Sequence, residues 1–194
     1  MRYIALGVNI GNLSRGPRAR EPMEARCSRI NRNLERKGAD LRVVAFYRHT
    51  GNLVLETTRV EPAETARRLS DADCATWIAV TEETMRAAVD RVRKMPSPEK
   101  EAGVRWTPGL AFAVTKPSPT KIESVPKVRL RPIDSTTIAA WKRDQTTEAG
   151  QLDRERREGG WGGVSKVIGM QTNSQWTARS VTTLEGVLQR ASDT

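Results

Sequence analysis

Few residue types in this chain have the chemistry that catalysis needs. His49 is the only histidine, so no histidine-based metal cluster is available. Ser165, His49 and Asp134 would make up a Ser-His-Asp set, but no nucleophile-elbow pattern of glycines surrounds the serine. No Gly-x-x-x-x-Gly-Lys phosphate loop occurs either. The sequence therefore predicts no catalytic residue, no cofactor and no metal, and it favours a binding protein over an enzyme without deciding between them.

Arginine and lysine are the side chains that this sequence offers in excess. The formal net charge is +10 and the pI is about 10.3. Residues 15–42 contain nine basic and four acidic side chains, whereas residues 61–101 contain seven basic and nine acidic ones. A surface of this sign attracts polyanions and releases counterions when it meets phosphate. The charge therefore predicts a nucleic acid or another polyanion as the partner.

A helix predicted over residues 23–37 carries part of this charge. Met23, Cys27, Ile30 and Leu34 recur at helical spacing and form one apolar stripe, and Gly38 ends the helix. Basic residues follow the same period on another side, and we expect them to project into solvent. A merely solvated basic helix is the alternative. The predicted nucleic-acid-binding residues are Arg15, Arg18, Arg20, Arg26, Arg29, Arg36, Arg129 and Arg131.

Two further stretches place amide side chains where an apolar strand ends. The first strand runs into Gly-Val-Asn-Ile-Gly-Asn at 7–12, and a hairpin passes through Tyr-Arg-His-Thr-Gly-Asn at 47–52. With a helix between them and Thr-Ala-Arg-Ser-Val-Thr-Thr-Leu at 177–184, they resemble the bacterial family catalogued as domain of unknown function 1697. Ser165-Lys166 is similar to a Ser-Lys that often precedes the penultimate helix of that family. The resemblance implies a duplicated α+β fold.

The chain departs from the family pattern at several positions. Leu6 replaces the arginine that usually precedes the first glycine, and His49-Thr50 replaces a Gln-Ser pair in the hairpin. The last stretch has lost a tryptophan and an asparagine. The resemblance therefore marks a divergent member.

The topology of such a fold predicts a ligand-binding cleft between the two halves. Lys166 follows a glycine run, and Arg179 is predicted at a helix start, where backbone N–H groups favour anions. Trp161 lies among the glycines of 159–163, which predicts either a mobile loop with an aromatic tip or a tryptophan that covers a core edge. The predicted cleft residues are Asn9, Asn12, His49, Asn52, Trp161, Lys166 and Arg179.

The secondary-structure pattern positions these residues in an α+β protein of duplicated ferredoxin-like units with mixed or antiparallel sheets. The predicted units are 1–75 and a looser second one over 76–194. Strands are predicted over 3–12, 41–47, 52–57, 76–80, 110–115, 128–131 and 136–141, and helices over 23–37, 62–70, 82–94 and 181–191, with a connector over 96–108.

Composition limits the remaining possibilities. No apolar run approaches the roughly 20 residues that span a bilayer, and the start lacks the apolar core of a signal peptide, so we predict a cytoplasmic protein. Cys27 and Cys74 lack metal or redox spacing and are expected to be buried thiols. Three function classes stay open, in decreasing order of support: nucleic-acid or ribonucleoprotein binding, a small-molecule binding protein or enzyme of specialised metabolism or self-resistance, and a protein-interaction module. The oligomeric state is undetermined.

Overall fold

The protein is built from two similar α+β units, each around a four-stranded antiparallel sheet. The structure, a computed structural model, describes residues 1–8, 22–47, 51–58, 61–98, 104–115, 117, 121–145 and 160–194. Met1–Ala87 and Leu184–Thr194 form the first unit, and Ala88–Thr183 forms the second. The predicted α+β class with duplicated units is confirmed.

The first unit has the strand and helix order of a ferredoxin-like fold. Its sheet order is β2-β3-β1-β4, and α1 and α2 pack on one sheet face over buried side chains that include Tyr3, Leu55, Ile30 and Leu69. The elements are β1 (Arg2–Gly7), α1 (Met23–Arg36), β2 (Arg42–Phe46), β3 (Asn52–Glu56), α2 (Pro62–Asp73) and β4 (Trp77–Thr81), followed by α3 (Glu82–Lys94).

The second unit repeats the sheet order as β6-β7-β5-β8. Its helix covers one sheet face through Val164 and Ile168, which meet Ala111, Leu130 and Ile138. In the part of the chain that the structure describes, no helix lies between its first two strands, where the first unit has α1. The elements are β5 (Val104–Ala113), β6 (Val128–Pro132), β7 (Thr137–Gln145), α4 (Trp161–Thr172) and β8 (Trp176–Ser180), followed by α5 (Val181–Asp193).

The turn that enters the last strand of each unit shows the duplication in detail. Trp77 donates its indole N–H to Asp73, and Trp176 donates its own to Thr172, each four residues back. In both turns the residue after the acceptor is left-handed: Cys74 has φ 55° and Asn173 has φ 46°. The two turns therefore share one geometry, and the acceptor is a carboxylate only in the first unit.

Several predicted boundaries need correction. The glycine-rich stretch 159–163 is not a loop throughout, because α4 begins at Trp161. β5 begins at Val104, within the predicted connector, because it pairs with β7 from Val104 to Phe112. Pro108 is tolerated there, since β8 pairs with β5 only from Gly109 onward. The last helix begins at Val181, and Arg179 lies in β8 before it.

The predicted division after residue 75 differs from the observed one. β4 pairs with β1 along Tyr3–Gly7, so the first unit is incomplete without the strand that follows residue 75. The first unit also includes Leu184–Thr194 from the end of the chain. The cysteines are corrected as well: Cys27 is half-buried and Cys74 is exposed. Within the described ranges, no helix has the length and apolar character needed to cross a membrane.

Candidate functional site

Two arginines of α1, Arg26 and Arg29, lie against a buried carboxylate, and this corrects the prediction that they project into solvent. Asp73 ends α2 with its side chain fully buried. Arg26 donates to both of its oxygens, through Nε at 3.0 and 3.1 Å and through Nη2 at 2.5 Å. Arg29 Nη2 donates to Oδ1 at 3.0 Å, and Trp77 Nε1 donates to Oδ2 at 2.9 Å. The carboxylate thus has partners from α1 and β4.

The same side of α1 continues along the end of α2. Asn33 donates to the carbonyl of Ala72 at 2.8 Å, and Lys37 donates to the carbonyl of Asp71 at 3.1 Å. The last carbonyls of a helix lack partners within the helix and favour positive charge, so these donors cap α2. The periodic polar residues of α1 therefore fasten two helices together. Of the predicted α1 arginines, Arg36 alone is exposed.

The arginines predicted on β6 have a different environment. Arg129 and Arg131 are both exposed and lie on the sheet face opposite α4. The Arg129 guanidinium lies 5.6 Å from the ring centroid of Trp106, and that of Arg131 lies 5.5 Å from the ring centroid of Trp141. Both distances are within the range of cation–π attraction. Among the described residues, neither guanidinium forms an ion pair, so no carboxylate there neutralises them.

Strand register brings these four side chains to one face. Arg129 on β6 pairs with Trp141 on β7, and Trp141 pairs in turn with Pro108 on β5. Trp106 is two residues from Pro108 and therefore points to the same side of the sheet. We call Trp106, Arg129, Arg131 and Trp141 the Arg-Trp face. Trp141 is 3% exposed beneath Arg131, whereas Trp106 is half-buried.

A cavity of about 270 Å³ opens at the Arg-Trp face. The indole N–H of Trp106 is buried and has no hydrogen-bond partner among the described residues. Ser124 Oγ accepts from the backbone N–H of Leu130 at 3.0 Å, which leaves its hydroxyl hydrogen to donate. The cavity is lined by Pro98, Trp106, Ser124, Arg129, Leu130, Arg131 and Trp141. Its polar side chains are therefore two guanidiniums, an indole N–H and a hydroxyl, and none is a carboxylate.

The predicted cleft residues fall in different units. Asn52 is in the first unit, where it is fully buried and its Nδ2 donates to the Tyr47 carbonyl at 3.2 Å across the hairpin. Arg179 is in the second, where Nη1 donates to Thr177 Oγ1 and to the Ala178 carbonyl, both at 2.9 Å. Burial lowers the pKa of Arg179 to about 10 by desolvating its charge. The convergence of these residues in one cleft stays a prediction.

The structure corrects two predictions about residues of α4. Trp161 is not a mobile aromatic tip, because its ring packs on the backbone of β5 at Gly109. This contact agrees with the alternative that it covers a core edge. Ser165-Lys166 does not precede the penultimate helix but lies inside α4, where Lys166 is exposed. The predicted residues Arg15, Arg18, Arg20, Asn9, Asn12 and His49 lie outside the described residues.

The tryptophans of the Arg-Trp face were not among the predicted site residues. Trp106 stands in a stretch with Pro108 and Gly109, which resembles a connector, and Trp141 stands at the predicted end of a strand. The available signal was the alternation of Arg129 and Arg131 on β6, which places both arginines on one sheet face, within reach of side chains from the neighbouring strand. That signal indicates a face and does not identify the partner residues.

Fold and face together define a class: a duplicated α+β protein with ferredoxin-like units and a basic, aromatic sheet surface. A scan against protein-family models found no match, and searches of curated proteins and of solved structures found no significant similarity.

Proposed function

We propose that the protein binds single-stranded nucleic acid through the Arg-Trp face of its second unit. The observation that carries the proposal is the pair of exposed arginines stacked on two tryptophans, with no acidic partner among the described residues. Membership in the family that the sequence resembles, domain of unknown function 1697, is a proposal of the same standing and rests on the motifs alone.

Stacking supports single strands over duplexes as the ligand. Proteins that bind single strands combine positive charge along the backbone with aromatic rings on which bases stack. RNA-binding four-stranded sheets likewise present aromatic side chains to two or three bases. A duplex keeps the faces of its bases stacked on one another, so Trp106 and Trp141 would have nothing to stack on.

Access to the rings depends on the two arginines. Trp141 lies under Arg131, and a base reaches it by entering between the guanidinium and the indole. Because the Arg131 side chain is exposed and outside any ion pair among the described residues, moving it away from the ring breaks no hydrogen bond to another described residue. The base would then lie between two flat groups, one of them charged.

Local charge supports the same ligand. Residues 121–143 contain six basic and two acidic side chains. Arg129 and Arg131 belong to this excess, whereas two of the arginines on α1 are paired with Asp73. The Arg-rich surface predicted from the sequence is therefore better supported on β6 than on α1.

Fluorescence anisotropy with a labelled single-stranded dodecamer and its duplex tests the proposal. We expect the single strand to bind more tightly than the duplex. Arg131→Ala should weaken single-strand binding by about 5- to 100-fold, because the variant loses both stacking and a charge that attracts phosphate. Arg105→Ala is the matched control, because Arg105 is an exposed arginine of β5 adjacent in sequence to Trp106 but on the other face. Equal losses of affinity in both variants would show that the effect depends only on net charge, and this result would contradict the proposal.

A further inference from the structure

Most polar side chains that line the cavity at the Arg-Trp face are hydrogen-bond donors. Arg129 and Arg131 have guanidiniums that cannot accept a hydrogen bond, and the indole of Trp106 is likewise a donor only. Ser124 Oγ accepts from Leu130 N–H with one lone pair, so its hydroxyl can still donate once and accept once. The remaining lining side chains, Pro98, Leu130 and the ring of Trp141, are apolar.

A cavity in which donors predominate discriminates between bases by their exocyclic groups. On the edge that faces the major groove of a duplex, guanine presents N7 and O6 and uracil or thymine presents O4, all of them acceptors. Adenine and cytosine present an amino group on that edge. An amino group placed against arginine and indole donors would lose its water without gaining an acceptor, and an unsatisfied buried donor is costly.

The size of the cavity limits what enters it. Drug-sized ligands occupy pockets of about 300–1,000 Å³, and this cavity of about 270 Å³ lies just below that range. It accommodates a base and not a folded nucleic-acid element. The buried N–H of Trp106 supplies a donor that no described residue uses.

We infer that the cavity selects keto bases, so that the protein prefers strands rich in guanine and uracil or thymine over strands rich in adenine and cytosine. This inference rests on the proposed function, because it assigns a base preference to the same face. Binding to phosphates alone would also neutralise the two arginines, but the affinity would then not depend on the identity of the base.

The test compares the full-length protein on fluorescein-labelled dodecamers of uridine and of cytidine, and on alternating UG and CA dodecamers. We expect the keto member of each pair to bind about 5- to 10-fold more tightly, the scale of one lost hydrogen bond. Trp106→Phe keeps an aromatic ring and removes the donor. It also leaves no acceptor unpaired, since the indole N–H has no described partner. Because the smaller ring also weakens stacking for every base, we expect Trp106→Phe to lower uridine binding more than cytidine binding, which reduces the preference.

The outcomes separate the inference from the proposed function. If both members of each pair bind equally and binding still falls in Arg131→Ala, the base preference is overturned and single-strand binding stands. A preference for the amino bases, or a keto preference that Trp106→Phe leaves unchanged, also overturns the inference. If no dodecamer binds, or if Arg131→Ala has no effect, the proposed function fails and the inference fails with it.

Discussion

Asp73 and Trp77 are joined by a buried 2.9 Å hydrogen bond across the turn that enters β4, and the carboxylate of that pair also binds Arg26 and Arg29. In the second unit Thr172 takes the place of Asp73, and its hydroxyl accepts from Trp176 at 2.8 Å. The carboxylate occurs in the unit that contains α1, and there it links this helix to α2. Some of the basic residues of α1 therefore have a structural role, because they hold this helix against α2.

Removing this carboxylate tests the assignment. Asp73→Ala leaves Trp77 without its acceptor and two partly buried guanidiniums without their counterion, which we expect to cost about 3–5 kcal/mol of unfolding free energy. Asp71→Ala, two residues earlier, breaks only the exposed pair with Arg67 and should cost less than about 1 kcal/mol. Urea denaturation measures both. Similar values for the two variants would show that Asp73 does not fasten α1.

The contact between Gly109 and Trp161 gives a second prediction. A Cβ at residue 109 would lie 2.1 Å from Trp161 Cη2 and 2.5 Å from the Arg179 carbonyl oxygen. Gly109→Ala therefore overpacks the sheet and should cost at least about 1–3 kcal/mol. Gly162→Ala is the control, because a Cβ there meets nothing within 4 Å and alanine favours a helix. In thermal unfolding, the melting temperature should fall in Gly109→Ala and rise in Gly162→Ala. An unchanged melting temperature in Gly109→Ala would contradict the contact between Gly109 and Trp161.

Acid should weaken a surface cluster on α2. Hydrogen bonds from Arg67 and Arg68 lower the pKa of Glu64 from 4.5 to about 2. A carboxyl whose folded pKa lies below its unfolded value stabilises the fold above the unfolded pKa and loses that contribution as the pH falls. The difference in urea midpoint between wild type and Glu64→Gln should therefore shrink from pH about 5 towards pH about 2. A difference that is constant over this range would contradict the pairing.

Part of this architecture follows from the sequence and part does not. The stripe of Met23, Ile30 and Leu34 predicts the core face of α1, because apolar side chains at helical spacing have one place to go. The polar side of the same helix was misassigned. Periodicity separates apolar from polar residues. It does not show that Arg29 pairs with Asp73, which lies 44 residues later in the chain.

The Arg-Trp face was missed for a related reason. Arg129 and Arg131 alternate on one strand, and this much is local. Their aromatic partners depend on the register of β6 with β7 and of β7 with β5, which long-range pairing decides. Pro108 also made β5 hard to predict, because a proline argues against a central strand and the sequence does not show that β8 pairs with β5 only from Gly109 onward.

The most direct test of the central claim is to map where a single strand touches the protein. A 4-thiouridine-containing dodecamer is cross-linked to the full-length protein by ultraviolet light, and the modified peptides are identified by mass spectrometry. Base stacking on the Arg-Trp face predicts cross-links at Trp106 or Trp141, and these should decrease in Arg131→Ala but not in Arg105→Ala. Cross-links confined to residues 15–42, or spread over the basic surface without Trp106 and Trp141, would contradict the account.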